Sequence, residues 1–327
     1  MKKNVIRIML LLVCTILVYV GFKGGVYQEK KAEGYYRIVL LSDTHLPVKT
    51  FNDKDKQKQD KIITAKNAVL DDINNWQDVG EIEVLGDVVG DTGTDEEYAY
   101  AKNYFSKLHK PLSFIVGNHD YIYRDQPSAS GHYVMADSQS RAIKLDKFKK
   151  TFGLSELFYT KKVEGYLLVF LSADSLDSKY LTEISPKQLS WLKGILKKNS
   201  TLPTIIFFHA PLEGTLRDYN KNVNKPNFVA QPAAVIDKIL DANRQIVLWV
   251  SGHTHTPATN PSFASDINWY KGRVLDVHNP DMDRTTIWTN SLFLYPDKIV
   301  IRTFNHSTKT WMRELERTIP IHKQDIT

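Results

Sequence analysis

Seven side chains with nitrogen or oxygen donors fall in five short stretches of this sequence. They are Asp43 and His45 in SDTH, Asp87 after Gly86, Asn118 in GNHD, His209 in FHAP, and His253 and His255 in GHTH. Imidazole, carboxylate and carboxamide without thiolate suit Mn, Fe or Zn. Seven donors exceed what one tetrahedral ion needs and are about right for two, if one carboxylate is shared. Asp87 is the natural bridge, holding two divalent or trivalent cations roughly 3.5–4 Å apart. Such a pair acidifies a shared water and steadies phosphoryl oxygens, which is the chemistry of phosphoester hydrolysis. The departing alkoxide needs a proton, and His119, beside Asn118, is placed to give it.

Taken singly, each stretch has an ordinary explanation. GNHD could be a turn, SDTH a helix N-cap, GHTH a surface turn, and His209 a satisfied core histidine. What they share is position, because each closes an apolar run. YRIVLLSD (36–43), EIEVLGD (81–87), SFIV (113–116), TIIFFHAP (204–211) and IVLWVSGHTH (246–255) all read as buried strands. In open α/β sheets, ligands gather outside the carboxyl ends of strands. Period-2 alternation points Asp43 and His45 to one side, and His253 and His255 repeat the device. The glycines before Asp87, Asn118 and His253 permit tight turns.

The elements between these strands fit the same layout. Helical spacing appears near 60–76, 94–109, 140–151 and 232–241, and Ser185-Pro186 opens another helix in SPKQLSWLKGILKKN. GYLLVFLSAD (165–174) is a further buried strand. The strand–helix–strand order predicts an α/β fold with parallel neighbours. From Arg273 onward, RVLDV, TTIWTN, LFLYP and KIVIRTF predict short antiparallel strands. Of the remaining histidines, His109, His132, His278, His306 and His322 read as surface or structural. Arg124 and Arg217 read as solvated charge, and Trp191 and Trp249 as core.

The chain has 327 residues, 42% hydrophobic and 24% charged, a globular composition. Its net charge of +6 is concentrated at the start, where residues 1–31 carry six basic residues against Glu29 and leave the rest near neutral. That argues against a nucleic-acid surface. Lys2, Lys3 and Arg7 precede an apolar run from Ile8 to Phe22, which predicts a signal segment or a membrane anchor within residues 4–22. As a helix the run spans roughly 22 Å against a ~30 Å hydrocarbon core, and Val5, Ile6 and a snorkelling Arg7 extend it. No small-x-small pattern follows Phe22, which favours an uncleaved single-pass anchor with the body outside; cleavage would make the protein secreted. Cys14, the single cysteine, lies inside this run, so the body has no disulfide and no thiolate ligand. The expected organisation is 1–27 anchor or signal, 28–35 linker, 36–305 catalytic domain and 306–327 tail.

SDTH, GD, GNHD, FHAP and GHTH, in this order, resemble the five signature blocks of the calcineurin-like metallophosphoesterases over roughly residues 36–305. SPKQLSWLKGIL resembles the phrase found in members similar to cyclic-nucleotide phosphodiesterases and purple acid phosphatases. The resemblance implies a four-layer αββα sandwich of two mixed sheets with the dinuclear site at the strand ends. It implies one ion on Asp43, His45, Asp87 and His255, and a second on Asp87, Asn118, His209 and His253, with His119 as proton donor or phosphate-binding histidine. Some members orient that histidine with an aspartate three residues after the bridging one. Position 90 here is Gly, which leaves Asp91 or Asp120 as the candidate support. The implied activity is hydrolysis of phosphoesters, diesters in preference to monoesters. A phosphomonoesterase, or a metal-binding protein without turnover, are the alternatives.

Overall fold

The computed structural model describes residues 34–48, 56–217, 219 and 221–322. The expected N-terminal segment and most of the linker lie outside the described residues. Among the described residues, no helix is long and apolar enough to cross a membrane.

Strand β1 (Tyr36–Leu41) owes its central place to a run that is apolar on both faces. Ile38 and Leu40 pack toward strands of the opposite sheet, while Val39 and Leu41 pack with Val69, Leu70 and Ile73 of helix α1 (Lys56–Asn75). Each such side chain, fully buried, contributes on the order of 1.5–3 kcal/mol. Strands β2 (Val79–Val84) and β3 (Leu112–Phe114) add parallel to β1, with α2 (Asp95–Phe105) crossing between them. On its other side β1 pairs antiparallel with β10 (Trp288–Leu294), which leads through β11 (Lys298–Asn305) to β12 (Thr310–Pro320). The sheet order is 12-11-10-1-2-3.

The second sheet has order 4-5-6-7-9-8. Strands β5 (Tyr166–Phe170), β6 (Thr204–Phe207), β7 (Ile246–Ser251) and β9 (Val274–His278) run parallel. Strands β4 (Tyr159–Val163) and β8 (Trp269–Tyr270) are antiparallel edges. Among the described residues, the remaining α-helices are α4 (Ser138–Phe152), α5 (Pro186–Lys198) and α6 (Ala233–Ala242), with the one-turn α3 (Asn118–Tyr121) at the site. The expected sandwich of two mixed sheets with helices is therefore the architecture found.

Two expectations are corrected, and one strand is added. RVLDV was expected to be antiparallel, yet β9 runs parallel to β7. The connection from Ser251 to Val274 is long enough for a crossover, and periodicity carries no information on direction. The stretch from 306 was expected to be a tail, yet Thr310–Pro320 is the edge strand β12. Its exposed Arg313, Glu314 and Glu316 belong to an edge position, where charge discourages further pairing, and they hide the strand from a hydrophobic pattern. Strand β4 was not foreseen. It forms a hairpin with β5 through Glu164 and Gly165, both at positive φ, the two-residue turn that suits strand twist.

Candidate metal centre

The five strand exits meet at one end of the sandwich, and their backbone is unusual there. Among the described residues, nine non-glycine residues have positive φ, and five of them are Asp43, His45, Asp87, His253 and His255. Each left-handed residue costs on the order of 1–3 kcal/mol, a cost that clusters where function fixes the geometry. Period-2 alternation therefore does not orient these side chains. Strand β1 ends at Leu41 and β7 at Ser251, and successive left-handed turns aim the residues that follow.

The loops also approach one another too closely for side chains between them. A Cβ at Gly252 would lie 1.8 Å from Ser42 Oγ and 2.4 Å from Asp43 Oδ2, and one at Gly117 would lie 2.3 Å from Asp87 Oδ1. These two glycines serve close approach, whereas Gly86, at φ +87°, also occupies a turn that needs positive φ.

Two clusters result, with Asp87 in both. Asp43, His45, Asp87 and His255 bring ligand atoms within 4.8 Å of one another, and Asp87, His209 and His253 do the same. In the first, His45 Nε2 lies 3.1 Å from His255 Nε2, and His255 Nε2 3.2 Å from Asp43 Oδ1. In the second, His209 Nε2 lies 3.2 Å from Asp87 Oδ2 and 3.3 Å from Asn118 Oδ1. All seven expected donors are thus brought together. His253 and His255, however, serve different clusters, although the sequence suggested a shared side.

The donor set fits cations. His209 Nδ1 donates to the Leu85 carbonyl at 2.8 Å, so a neutral ring presents the Nε2 lone pair to two oxygens. Acceptors facing acceptors require a proton or a cation between them. His253 donates from Nε2 to the Asn227 carbonyl at 2.8 Å, leaving Nδ1 as its ligand atom. Without metal, protons take up the charge. Burial opposes a charged His209, but Asp87 and Asp43 outweigh it and lift its pKa to about 9. His253 is pushed down to about 4 by burial and by the charge on His209. Burial also opposes the Asp87 carboxylate, yet His209 and His119 hold it well below the usual range.

Asp43 is oriented by Ser42 Oγ and by the His253 backbone N–H, which donates to its Oδ2 at 3.0 Å. Asp87 Oδ1 accepts from the His119 backbone N–H at 2.8 Å. His119 is half-buried, and its Nδ1 donates to the Asp91 backbone carbonyl at 2.7 Å. The contact with Asp91 is therefore made through its backbone carbonyl. Asp120, expected beside His119 as its candidate catalytic support, is fully buried and accepts from the N–H groups of Val88, Val89 and Gly117. That makes it a brace for the β2 and β3 exits. Burial, reinforced by Asp87, lifts its pKa to about 8.

Several contributors were missed by sequence reasoning. Lys66 of α1 is buried and donates from Nζ to the carbonyls of Thr44 at 2.7 Å and His45 at 2.9 Å, and to Asp283 at 2.9 Å. Its signal was present, because Lys66 sits on the buried stripe of Ile62, Val69 and Ile73 at helical spacing. Arg284 donates to the His255 carbonyl and pairs with Asp281. Tyr123 and Tyr133 stand beside His119, with ring centroids 5.1 Å and 5.3 Å from its own. The other histidines lie outside both clusters. His109, His132 and His322 are exposed, His278 contacts the Thr215 carbonyl, and His306 pairs with Asp72. Arg124 and Arg217 are exposed, and Trp249 is core.

Comparison with known proteins gives the same picture. Residues 36–257 match the family described as calcineurin-like phosphoesterase. A probable glycerophosphodiester phosphodiesterase, GpdQ, of Arcobacter nitrofigilis is 24% identical over 227 residues, covering 68% of this chain and 72% of that protein. A dimetal phosphatase from Danio rerio superposes with a TM-score of 0.58 at 13% identity, over 88% of this chain and 99% of that one. The purple acid phosphatase PPD1 of yellow lupin gives 0.58 at 12% identity, over 89% of this chain and 55% of its own. These two likenesses concern the fold. With the family match spanning more than half of the sequence and a paired Asp/His cluster at the strand ends, the chain belongs to the calcineurin-like phosphoesterase family and is a metal-dependent hydrolase.

Proposed function

We propose that this protein is a phosphodiesterase with two metal ions, one on Asp43, His45, Asp87 and His255 and the other on Asp87, Asn118, His209 and His253. The observation that carries the two-ion reading is the sharing of Asp87 between two donor clusters. The N/O donor set without thiolate favours Mn, Fe or Zn. When bound, the ions would supply an acidified water and positive charge against the phosphoryl oxygens. The chain's own part is to hold the donors on rigid strand exits and to keep His119 beside them as the proton donor for the leaving alcohol.

The preference for diesters is supported by the relative named as a probable glycerophosphodiester phosphodiesterase. Its name suggests small diesters with an alcohol leaving group as the substrate class. Action outside the cytoplasmic membrane is supported by the basic residues that precede the apolar run at Ile8–Phe22. Protease accessibility of the body in intact cells tests that placement, and full protection would refute it.

The activity is tested by chelating the full-length protein, adding back Mn, Fe or Zn, and comparing bis(4-nitrophenyl) phosphate with 4-nitrophenyl phosphate. Metal-dependent turnover should be faster on the diester. Asp87→Asn should lose metal at both clusters and more than about 100-fold of the turnover, beyond the usual cost of removing a neighbour that merely supports a ligand. A faster monoester would make the protein a phosphomonoesterase.

A further inference from the structure

The loop that carries the support of His119 is built in an unusual way. A Cβ at Gly90 would lie 2.5 Å from the Pro47 carbonyl oxygen, and Gly90 N–H donates to the Leu46 carbonyl at 2.9 Å. No side chain can stand at position 90, so the chain turns and offers the next backbone carbonyl, that of Asp91, to His119 Nδ1. Backbone carbonyls move with their loop, and this loop is tied down at two points. Glu97, in the first turn of α2, accepts from the N–H groups of Asp91 at 2.6 Å, Thr92 at 3.2 Å, Gly93 at 2.9 Å and Thr94 at 2.9 Å. The other tie is Tyr133, whose hydroxyl donates to the Asp91 carboxylate.

Tyr133 reaches that place because its segment doubles back. Tyr123 and Met135 form an antiparallel bridge, with Arg124 N–H on the Val134 carbonyl and Ala136 N–H on the Ile122 carbonyl. The ribbon stacks the Tyr133 ring on Tyr123, with centroids 4.7 Å apart at 28°, and sets it edge-on to His119 at 82°. Tyr123 itself lies against His119 and receives the Asn118 amide at 3.4 Å. Tyr133 is 42% exposed, so core packing does not account for its position.

We propose that Tyr133 is a positioning residue for proton delivery: it pins Asp91 by its hydroxyl and His119 by its ring edge. The imidazole is thereby held with Nδ1–H on the Asp91 carbonyl and Nε2–H toward the leaving group. This rests on the reading of the protein as a phosphodiesterase with His119 as donor. In hydrolysis, a water gives one proton to solvent as its oxygen bonds to phosphorus, the phosphorus–oxygen bond to the alcohol breaks, and solvent afterwards returns a proton to the ring. The electron pair stays on the alkoxide oxygen, which takes the proton from Nε2 of the imidazolium. A loosely held ring delivers that proton poorly, and only leaving groups that need it suffer.

The test uses the full-length, Mn-loaded protein and two diesters. Bis(4-nitrophenyl) phosphate departs as a stabilised phenolate, whereas glycerophosphoethanolamine must release an alcohol. Tyr133→Phe removes one hydroxyl from a half-exposed ring and leaves the fold intact. It should lower kcat on the alkyl diester by about tenfold relative to kcat on the nitrophenyl ester, with KM little changed, a share of the about 10²–10⁴ that a general acid contributes. Asp91→Ala should match it, and the double variant should lose no more than either single, because both act through one contact. Equal losses on the two esters, or none, would overturn the proposal. His119→Ala separates this from the wider reading. If that variant discriminates between leaving groups and Tyr133→Phe does not, only the role of Tyr133 falls. If His119→Ala does not discriminate, the donor assignment falls and the role of Tyr133 with it.

Discussion

His209 is the residue where charge and coordination meet most directly. Lifted to about 9 from an ordinary 6.5 in the metal-free protein, its proton stabilises that form fully below pH 6.5, and the contribution is lost as pH rises through about 9. An ion in the second cluster takes the same Nε2, so binding near neutral pH must expel the proton. Metal affinity is therefore expected to strengthen from pH 6.5 to 9. Burial opposes a charged His255 too, but Asp43 lifts it to about 9, so calorimetry in buffers of different ionisation enthalpy should record about two protons released when both clusters load, one from each ring; no release would contradict the protonated state. The identity of His209 as a candidate ligand was legible in FHAP. Its tautomer was not, because the Leu85 carbonyl that fixes it belongs to a strand exit more than a hundred residues away.

At the scale of elements, the site depends on strand exits pressed together and on one helix bolted behind them. Lys66→Met should leave the carbonyls of Thr44 and His45 without their donor and Asp283 without its partner. Breaking such a buried pair costs about 3–5 kcal/mol, measurable as a lower urea midpoint, and the first cluster should bind metal more weakly. A variant as stable as the parent would mean that water replaces the ammonium. Gly252→Ala puts a methyl group where Ser42 Oγ and Asp43 Oδ2 already stand. Overpacking of this kind costs about 1–3 kcal/mol, and metal analysis should show selective loss from the cluster that contains Asp43. The strands carrying the motifs were readable because each is an apolar run buried on both faces. Strands β4 and β12 were not, because edge strands such as YTKKV and TWMRELERTIP are polar and show no clear alternation.

For the whole molecule, the two mixed sheets are closed by the C-terminal strand. Ile319 and Ile321 join Ile299 and Ile301 in the core between the sheets. Deleting residues 306–327 should therefore expose that core and the edge of β11, giving aggregated protein or a marked loss of thermal stability by circular dichroism. Unchanged melting would show that β12 is dispensable and that a boundary at 305 was adequate.

The sequence by itself determined the chemistry. Five polar motifs in order, each ending an apolar strand, specify the donor atoms, the α/β frame and the end of the sheet where they gather. All of these are local signals of residue type and spacing. The tertiary structure decided the assignments that depend on distances across the fold. It aimed His253 and His255 into the separate clusters that the family resemblance implies, through left-handed turns that period-2 alternation does not describe, and it made Asp120 a brace by surrounding it with three backbone donors. It also gave His119 a backbone carbonyl as partner, because the Pro47 carbonyl fills the space that a side chain at position 90 would need. Spacing along the chain carries no measure of that space, which exists only once the loops have packed.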